Sequence, residues 1–433
     1  MSPVKNIFVI GMDESNLDTL RAVPHAGEYR FHPLLTIEEL QIGDIPIADL
    51  IDKAQRELDA FDGSVDAVVG YWDFPVSTLV PLLAERYGLR STNLESIVKC
   101  EHKYWSRLEQ RKVIEEHPKF AVLDPFAEDV RPPSGLEFPM WLKPVKSFSS
   151  ELAFGVDNEK EFHDAMAEIR EGISRVGKPF EYILDQLDLP AEVAEAGGQA
   201  VLAEETLTGE QFACEGYVHN GEVTVYGVLD SVNYPDSSSF LRHQYPSQLL
   251  PRHVCERIKD VSTRVMRQIG MDSATFSIEY FYDKETDRLN LLEINPRHSQ
   301  SHAEMFEYVD GVPNHHCMLS LALGRDPRLP DAAGPYEVAA KWYHRRFEDG
   351  VARRVPTREE VERVEAEIPG VKIEIVPRQG DRLSAMPGQD SYSFELAHLF
   401  IGADSERELR EKYDRCVAAL PFEFDAAPDG ELH

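Results

Sequence analysis

The first hundred residues alternate short apolar runs with stretches whose apolar positions recur every three or four residues. NIFVIG (6–11) and AVVGYW (67–72) read as buried strands, and the stretches near Leu17 to Ala22, Ile47 to Phe61 and Val76 to Tyr87 read as helices. Such alternation predicts a parallel sheet with crossover helices. A single glycine, Gly11, follows the first strand, so the GxGxxG fingerprint is missing and neither NAD nor FAD is expected. Tyr71-Trp72-Asp73 ends the second strand, where open α/β sheets present their binding crevice; substrate contact and strand-end packing both remain open.

From Pro118 to Pro144 the chain is loop-rich, and a buried strand (Met140 to Leu142), a polar hairpin loop and a second strand (Leu152 to Val156) follow. Glu159 to Glu171 reads as a helix. The acidic stretch Pro179 to Ala200, ending in Gly197-Gly198, reads as an exposed excursion. Strands resume at AVLAEETL, GEQFACEGYVHNG and GEVTVYGVLD, with Asn220-Gly221 as a hairpin turn. A polar loop (Asp236 to Ser239) and a helix (Pro251 to Met271) then lead into the strands TFSIEYFYD and RLNLLEINPR. From about Tyr336 onward a further unit mixes strands and helices, and no internal repeat is visible.

Composition narrows the function. The 433 residues carry 45 Lys+Arg against 77 Asp+Glu, a formal net charge of −32, while 42% are hydrophobic. The chain can therefore bury ordinary cores, and its negative field repels nucleic acid and anionic membrane alike. An anionic substrate must be drawn in by a local cluster of Lys, Arg and metal. The opening MSPVKNIFVIGMDESN holds an apolar run of only five residues, too short for a secretion signal or a membrane span, so a cytoplasmic protein is expected. Cys100, Cys214, Cys255, Cys317 and Cys416 form no CxxC pair, which points to isolated buried thiols and not to disulfides or structural zinc.

Glu279 and Glu293 fall near the ends of adjacent strands, and period-two geometry puts Glu293, Asn295 and Arg297 on one face. Two carboxylates and a carboxamide are hard oxygen ligands of the kind Mg²⁺ takes while it also holds phosphates. A guanidinium beside them suits a carboxylate or phosphoryl oxygen. A surface hairpin with solvated charges fits the same residues. Lys103 and Lys143 are candidate phosphate contacts, and Ser147, Ser149 and Ser150 form a hydroxyl-rich loop whose amides could cover phosphates. Glu204-Glu205-Thr206-Leu207 connects two strands and could hydrogen-bond an adenine edge.

The order and spacing of these pieces resemble the ATP-grasp superfamily, specifically its carboxylate–amine ligases, over roughly residues 95 to 325. The motifs are KCEHKYWSR, WLKPVKSFSSELAFG, VLAEETLTGEQF, FSIEYF and LLEINPRHSQSH. The resemblance implies an ATP-grasp fold of mixed α/β and α+β type. It divides into a Rossmann-like N-terminal domain over 1–100, an ATP-grasp core over 101–330 with its lid at about 138–207, and a C-terminal α+β unit over 331–433. It further implies that Lys103 and Lys143 bind ATP phosphates under the 147–150 loop. Glu204 and the backbone at Glu205 and Leu207 would hold adenine, with Gln211 where the family often has a ribose-binding Glu. Glu279, Glu293 and Asn295 would hold Mg²⁺, with Mn²⁺ as its substitute.

The implied reaction is attack of a substrate carboxylate on the γ-phosphoryl of ATP, giving an acyl phosphate and ADP, and then displacement of phosphate by an amine. Arg297 would lie near the tetrahedral oxyanion. The expected substrates are a small carboxylic acid and an amine, both amino acids, and the resemblance allows a homodimer. The stretch PRQGDRLSAMPGQDSYSFELAHLFIGADSERELREKYDRCVAAL also resembles the closing unit of biotin-carboxylase-like members, which raises biotin carboxylation as a rival. Against it, Ser301-His302 stands where those carboxylases have Glu-His, and residues 231–258 contain no lysine. A non-catalytic nucleotide-binding scaffold is the remaining alternative.

HSQSH (298–302) and FLRHQYP (240–246) distinguish this chain. Arg242, His243 and Tyr245 read as a loop, which in similar ligases borders the substrate pocket. Arg242 would then pair a substrate carboxylate while His302 orients or deprotonates the amine, although histidines that cap and pack are equally consistent. His315-His316 has no evident partner and reads as structural.

Overall fold

The computed structural model describes residues 4–147, 151–330, 333–386, 389 and 393–426. The chain divides into two compact units. One comprises 1–226, 251–300 and 315–328, and the other 227–250, 301–314 and 329–433.

The first unit opens with the parallel sheet expected from the alternating pattern. β1 (Lys5–Ile10) pairs in parallel with β2 (Tyr29–Leu34) on one side and β3 (Ala67–Val69) on the other. A second, antiparallel sheet is ordered β4-β7-β5-β6, from β4 (Phe120–Leu123), β5 (Met140–Pro144), β6 (Phe154–Val156) and β7 (Val201–Glu205). Its apolar face packs against the helix Glu159–Gly172 through Met140, Leu142, Phe162, Met166, Ile169 and Ala203. The third set runs β12-β11-β8-β9, where β8 is Glu210–His219, β9 Glu222–Asn233, β11 Ala274–Asp283 and β12 Arg288–Asn295. β9 passes out of this unit after Tyr226.

The segment expected as an exposed excursion is folded. Ser174–Leu184 and Ala191–Ala196 are helices, and Val176, Phe180, Ile183, Leu184 and Val193 are buried in one core with Phe74, Val98 and Trp105. Their spacing of four, three and one makes a helical stripe. The acidic residues between them occupy the outer face and mask it in the sequence.

In the second unit β9 continues beside β10 (Phe240–Tyr245), then β13 (Val338–Arg346), β16 (Phe394–Ala403) and β15 (Val371–Ile375), while β14 (Gly350–Arg354) pairs with β17 (Glu423–Ala426). One sheet face carries Ala340, Trp342, Ile373, Leu399 and Ile401 into a core completed by Val361, Val364, Leu409 and Cys416 of two helices. Arg242, His243 and Tyr245 lie on strand β10 and not on a loop, because β9 and β13 flank and hydrogen-bond that segment. The cysteines are free thiols, four buried and Cys255 half-buried. Among the described residues no helix is long and apolar enough to cross a membrane.

Gly209, between β7 and β8, has φ +102°, and a Cβ there would lie 2.3 Å from the carbonyl oxygen of Tyr282. Gly209→Ala is expected to cost about 2 kcal/mol or more, seen as a lower urea-unfolding midpoint of the full chain; an unchanged midpoint would show that this close approach is not maintained.

Candidate active site

The β11–β12 hairpin aligns its polar residues in pairs. Glu279 stands opposite Glu293 and Ser277 opposite Asn295, in register with Ala213 and Glu215 of β8. Beyond Glu279 the register shifts, so that Tyr280 faces Leu291 and Leu292 is left over as a bulge. Gln211 of β8 donates from Nε2 to Glu279 Oε2 at 2.8 Å, and Asn295 Nδ2 donates to Oε1 at 3.3 Å. Burial, and then the Glu293 carboxylate across the pair, push the Glu279 carboxyl up to about 7, against the pull of Arg297, Asn295 and Gln211. Glu293 goes the other way. Burial alone would raise it, but Lys103, Lys143 and Lys146 hold it down at about 2.

Lys103 begins the helix Lys103–Gln110, whose N-cap is His102. The His102 Nδ1 accepts from Trp105 N at 3.2 Å while Nε2 donates to the Gly197 carbonyl at 3.0 Å, a pairing that fixes the neutral tautomer. Burial keeps that imidazole neutral by lowering it to about 4. The Lys103 ammonium reaches Glu293 Oε1 at 2.9 Å and the Ser147 carbonyl at 3.1 Å. One helical turn on, Arg107 donates to Glu204, to Gln110 and to the carbonyls of Leu291 and Leu292 at the bulge. Glu204 also takes Lys143 at 2.6 Å. Burial opposes ionisation of Glu204, yet Arg107 and Lys143 together bring it to about 2.

Two further pairs complete the charged set. Arg297 holds Asp73 through Nε at 2.8 Å and Nη2 at 2.7 Å. Tyr71 and Trp72, by contrast, are used in packing: Tyr71 donates to Asp13 at 2.9 Å and Trp72 to the Gly11 carbonyl at 2.8 Å. Lys146 is buried against Glu101, which also accepts from Ser77 at 2.5 Å. Burial lowers the Lys146 ammonium to about 8 even though Asp73 and Glu293 favour its charge. Arg107, Lys146 and Glu101 were not anticipated. The signals available were Arg107 four positions after Lys103 on one helix, and Lys146 three after Lys143.

The remaining candidates are placed as follows. Ser147 is buried and contributes its carbonyl; Ser149 and Ser150 lie outside the described residues. The Glu204 carboxylate is paired with Arg107 and Lys143. The Glu205 amide donates to the Lys119 carbonyl at 3.0 Å and its carboxylate pairs with Arg288. Leu207 is half-buried at the β7–β8 connection, and the neighbouring Thr206 hydroxyl is buried without a hydrogen-bond partner among the described residues. Gln211 is spent on Glu279. His315 does have a partner: its Nδ1 is 2.9 Å from His298 Nε2, and its Nε2 is 3.3 Å from Asn16 Oδ1.

Arg242 and His302 belong to the second unit and are not brought together. Arg242 stacks on Trp342, 4.7 Å from the ring centroid, and pairs with Glu406 at 3.1 Å on the apolar-core face. His302 packs against His243, rings 5.0 Å apart, on the opposite face.

Whether the residues suit a nucleotide and its metal can be asked of the donors. Glu279 and Glu293 offer carboxylate oxygens, and the Asn295 carboxamide, donating through Nδ2, keeps its oxygen to accept. This set is all hard oxygen, as Mg²⁺ requires, and four cations stand around it. The orphaned Thr206 hydroxyl supplies an unused polar atom at the connection where an adenine edge was expected. The residues fit.

Residues 136–303 match the model of the ATP-grasp domain. Solved structures align over nearly the whole chain. An L-amino acid ligase from Bacillus licheniformis aligns with 15% identity and a TM-score of 0.70 over 98% of this chain and 100% of that one. A phosphoribosylglycinamide synthetase from Anaerococcus prevotii gives 13% and 0.64 over 97% and 100%. A biotin carboxylase from Campylobacter jejuni gives 15% and 0.63 over 97% and 92%. A carbamoyl phosphate synthase large chain from Xylella fastidiosa is 33% identical over 79 residues, 18% of this chain and 7% of that protein's length. The fold is thus the ATP-grasp fold, mixed α/β and α+β. The chain carries an ATP-grasp domain, and the β11–β12 hairpin with Glu279, Glu293 and Asn295 lies within it.

Arg107→Met leaves Glu204 buried beside a single cation and is expected to cost about 3–5 kcal/mol in chemical denaturation. Because the folded-state value of Glu204 is depressed from 4.5 to about 2, its contribution is full above 4.5 and drains away as pH falls towards 2. The stability gap between wild type and Glu204→Gln should therefore narrow with acidification below about 4.5. A gap that stays constant or widens would contradict an ionised Glu204.

Proposed function

We propose that the protein is an ATP-dependent, ADP-forming ligase that joins a small carboxylic acid to an amine, both amino acids, and that it works in the cytoplasm. The observation that carries this reading is the pairing of Glu279 with Glu293 in an ATP-grasp domain, with Lys103 on Glu293 and Arg297 beside them. A module that only binds a nucleotide has little use for a near-neutral buried carboxyl facing an ionised one. The similarity to an L-amino acid ligase along the whole chain supports the substrate class.

In this reading the acid's carboxylate oxygen attacks the γ-phosphorus of ATP. A carboxyl O–P bond forms, the bridging P–O bond breaks, and ADP leaves. Lys103 and Lys143 are held at the site by Glu293 and Glu204, and they exchange those partners for phosphate oxygens. Mg²⁺, held by Glu279, Glu293 and Asn295, would supply neutralisation of the phosphate oxygens when bound. The amine then attacks the acyl carbon, the C–O bond to phosphate breaks, and the amine proton passes to water. Arg297, fixed in direction by its two bonds to Asp73, meets the negative oxygen of the tetrahedral intermediate. Asp73 is thus a positioning residue.

The test is release of ADP and phosphate from Mg·ATP with amino acids offered singly and in pairs, with mass spectrometry of the products. Turnover should require a particular pair and yield a product one water lighter than their sum. Glu293→Gln should reduce turnover at least about a thousandfold, on the scale of lost transition-state electrostatics, while circular dichroism stays native. Undiminished turnover in that variant would remove Glu293 from the chemistry, and turnover with bicarbonate alone would replace amide formation by carboxylation.

A further inference from the structure

Arg297 stands where the sheet ladder no longer holds the chain. β12 ends at Asn295, and Pro296, which has no N–H to donate, comes between. The next three residues are tethered to side chains of three different elements. Arg297 holds Asp73 after β3, the His298 amide donates to Thr275 Oγ1 of β11 at 3.0 Å, and the Ser299 amide donates to Glu215 Oε1 of β8 at 3.1 Å.

The His298 imidazole leads further. Its Nδ1 meets Thr275 Oγ1 at 3.1 Å, and its Nε2 lies 2.9 Å from Nδ1 of His315, which opens the helix His315–Ala322. His315 Nε2 lies 3.3 Å from Oδ1 of Asn16 in the helix Glu14–Arg21, and Asn16 Nδ2 donates to Asp13 Oδ1 at 3.1 Å and Oδ2 at 3.0 Å. Both imidazoles are wholly buried. The chain has a direction. The Asn16 side chain turns its nitrogen to Asp13, so its oxygen faces His315 and Nε2 must donate to it. Burial lowers the His315 imidazole to about 3, so it is neutral and its Nδ1 accepts from His298 Nε2. With both nitrogens of both rings engaged, neither ring can turn without breaking the chain.

Both tethers lead to the same sheet. Asp13 follows β1 and Asp73 follows β3, two neighbouring parallel strands. One carboxylate takes the Arg297 guanidinium directly, and the other takes the next residue through Asn16 and His315. An arginine held only at its tip keeps torsional freedom along its stem unless its backbone is fixed as well. We infer that His298 and His315 are positioning residues, whose hydrogen-bond chain from Asp13 fixes the backbone beneath Arg297 so that its guanidinium meets the tetrahedral oxyanion in the second step of the reaction. The inference deepens the ligase reading and rests on it for the identity of that step; the fixing of Arg297 does not depend on it. The first step relies on Lys103, Lys143 and the carboxylate set, which the chain does not touch.

Two readouts on the full chain test this. The first needs no turnover: in protein labelled with 15N-arginine, the Nε–H resonance of Arg297, identified by its absence in Arg297→Lys, reports exchange of that proton with water. His298→Leu, and Asn16→Leu at the far end of the chain, should speed the exchange at least about tenfold, the scale of one hydrogen bond. His298→Gln, whose amide nitrogen can stand where Nε2 does, should restore slow exchange, and His316→Gln, whose ring bonds the Pro327 carbonyl instead, should leave it unchanged. Asn16→Leu carries the test should His298→Leu not fold. The second readout is a single turnover stopped by chemical quench. In both leucine variants ADP should form within about threefold of the wild-type rate while amide appears at least about tenfold more slowly. Exchange unaltered in the leucine variants, exchange equally fast in His316→Gln, or both chemical steps slowed alike would overturn the inference. Amide formation in a wild type whose Arg297 exchange ignores the chain would sink the inference and leave the ligase reading standing. Exchange that obeys the chain in a protein that makes no amide from any pair would sink the ligase reading and keep the fixing of Arg297.

Discussion

The candidate site depends on one buried carboxylate, Glu204, held between Arg107 and Lys143. Each of the three comes from a different local element: the helix after His102, strand β7 and strand β5. All three side chains are buried, so each depends on the others for its charge partner. Arg107 then does a second thing. Its guanidinium takes the carbonyls of Leu291 and Leu292, at and beside the bulge in the edge strand β12. The bulge sits directly before Glu293, and Lys103, one turn earlier on the same helix as Arg107, grips the Glu293 carboxylate. The direction in which Glu293 points is therefore fixed from one helix at two places four residues apart.

Much of this was legible locally and little of it at long range. ExNPR, the lysine-proline strand and the early lysine could be read because each is a few residues of contiguous chain with a definite chemistry. The strand period placed Glu279 and Glu293 on adjacent strands, and the structure has them face to face. What the sequence withheld was partnership across distance. Lys103 meets Glu293 190 positions away and Arg297 meets Asp73 224 positions away, and no periodicity encodes that. Arg242 shows the cost of this limit. Read as a loop residue next to polar neighbours, it suggested a substrate contact; in β10, alternation turns it onto Trp342 and towards Glu406, and its neighbour His243 to the other face. The acidic stretch before Gly197 misled for the opposite reason, since the acidic residues between the buried positions hide a narrow apolar stripe.

Among the described residues the four cations at β11 and β12 are each matched, Lys103 by Glu293, Lys143 by Glu204, Lys146 by Glu101 and Arg297 by Asp73. The overall charge of −32 would repel a polyphosphate, and these cations do not present a bare positive hollow that offsets it. A polyphosphate can enter only by competing with carboxylates for cations they already hold, and every lysine it wins leaves a buried carboxylate exposed to its neighbours. Exchange of that kind balances only if further positive charge arrives with the nucleotide and goes to the vacated carboxylates. Glu293 is the one that Lys103 would vacate, and it faces Glu279, whose carboxyl is raised to about 7 by burial and, after that, by the Glu293 carboxylate. A divalent cation held by Glu279, Glu293 and Asn295 would supply that charge, and it would meet both the carboxylate that Lys103 now holds and the one that burial keeps from ionising.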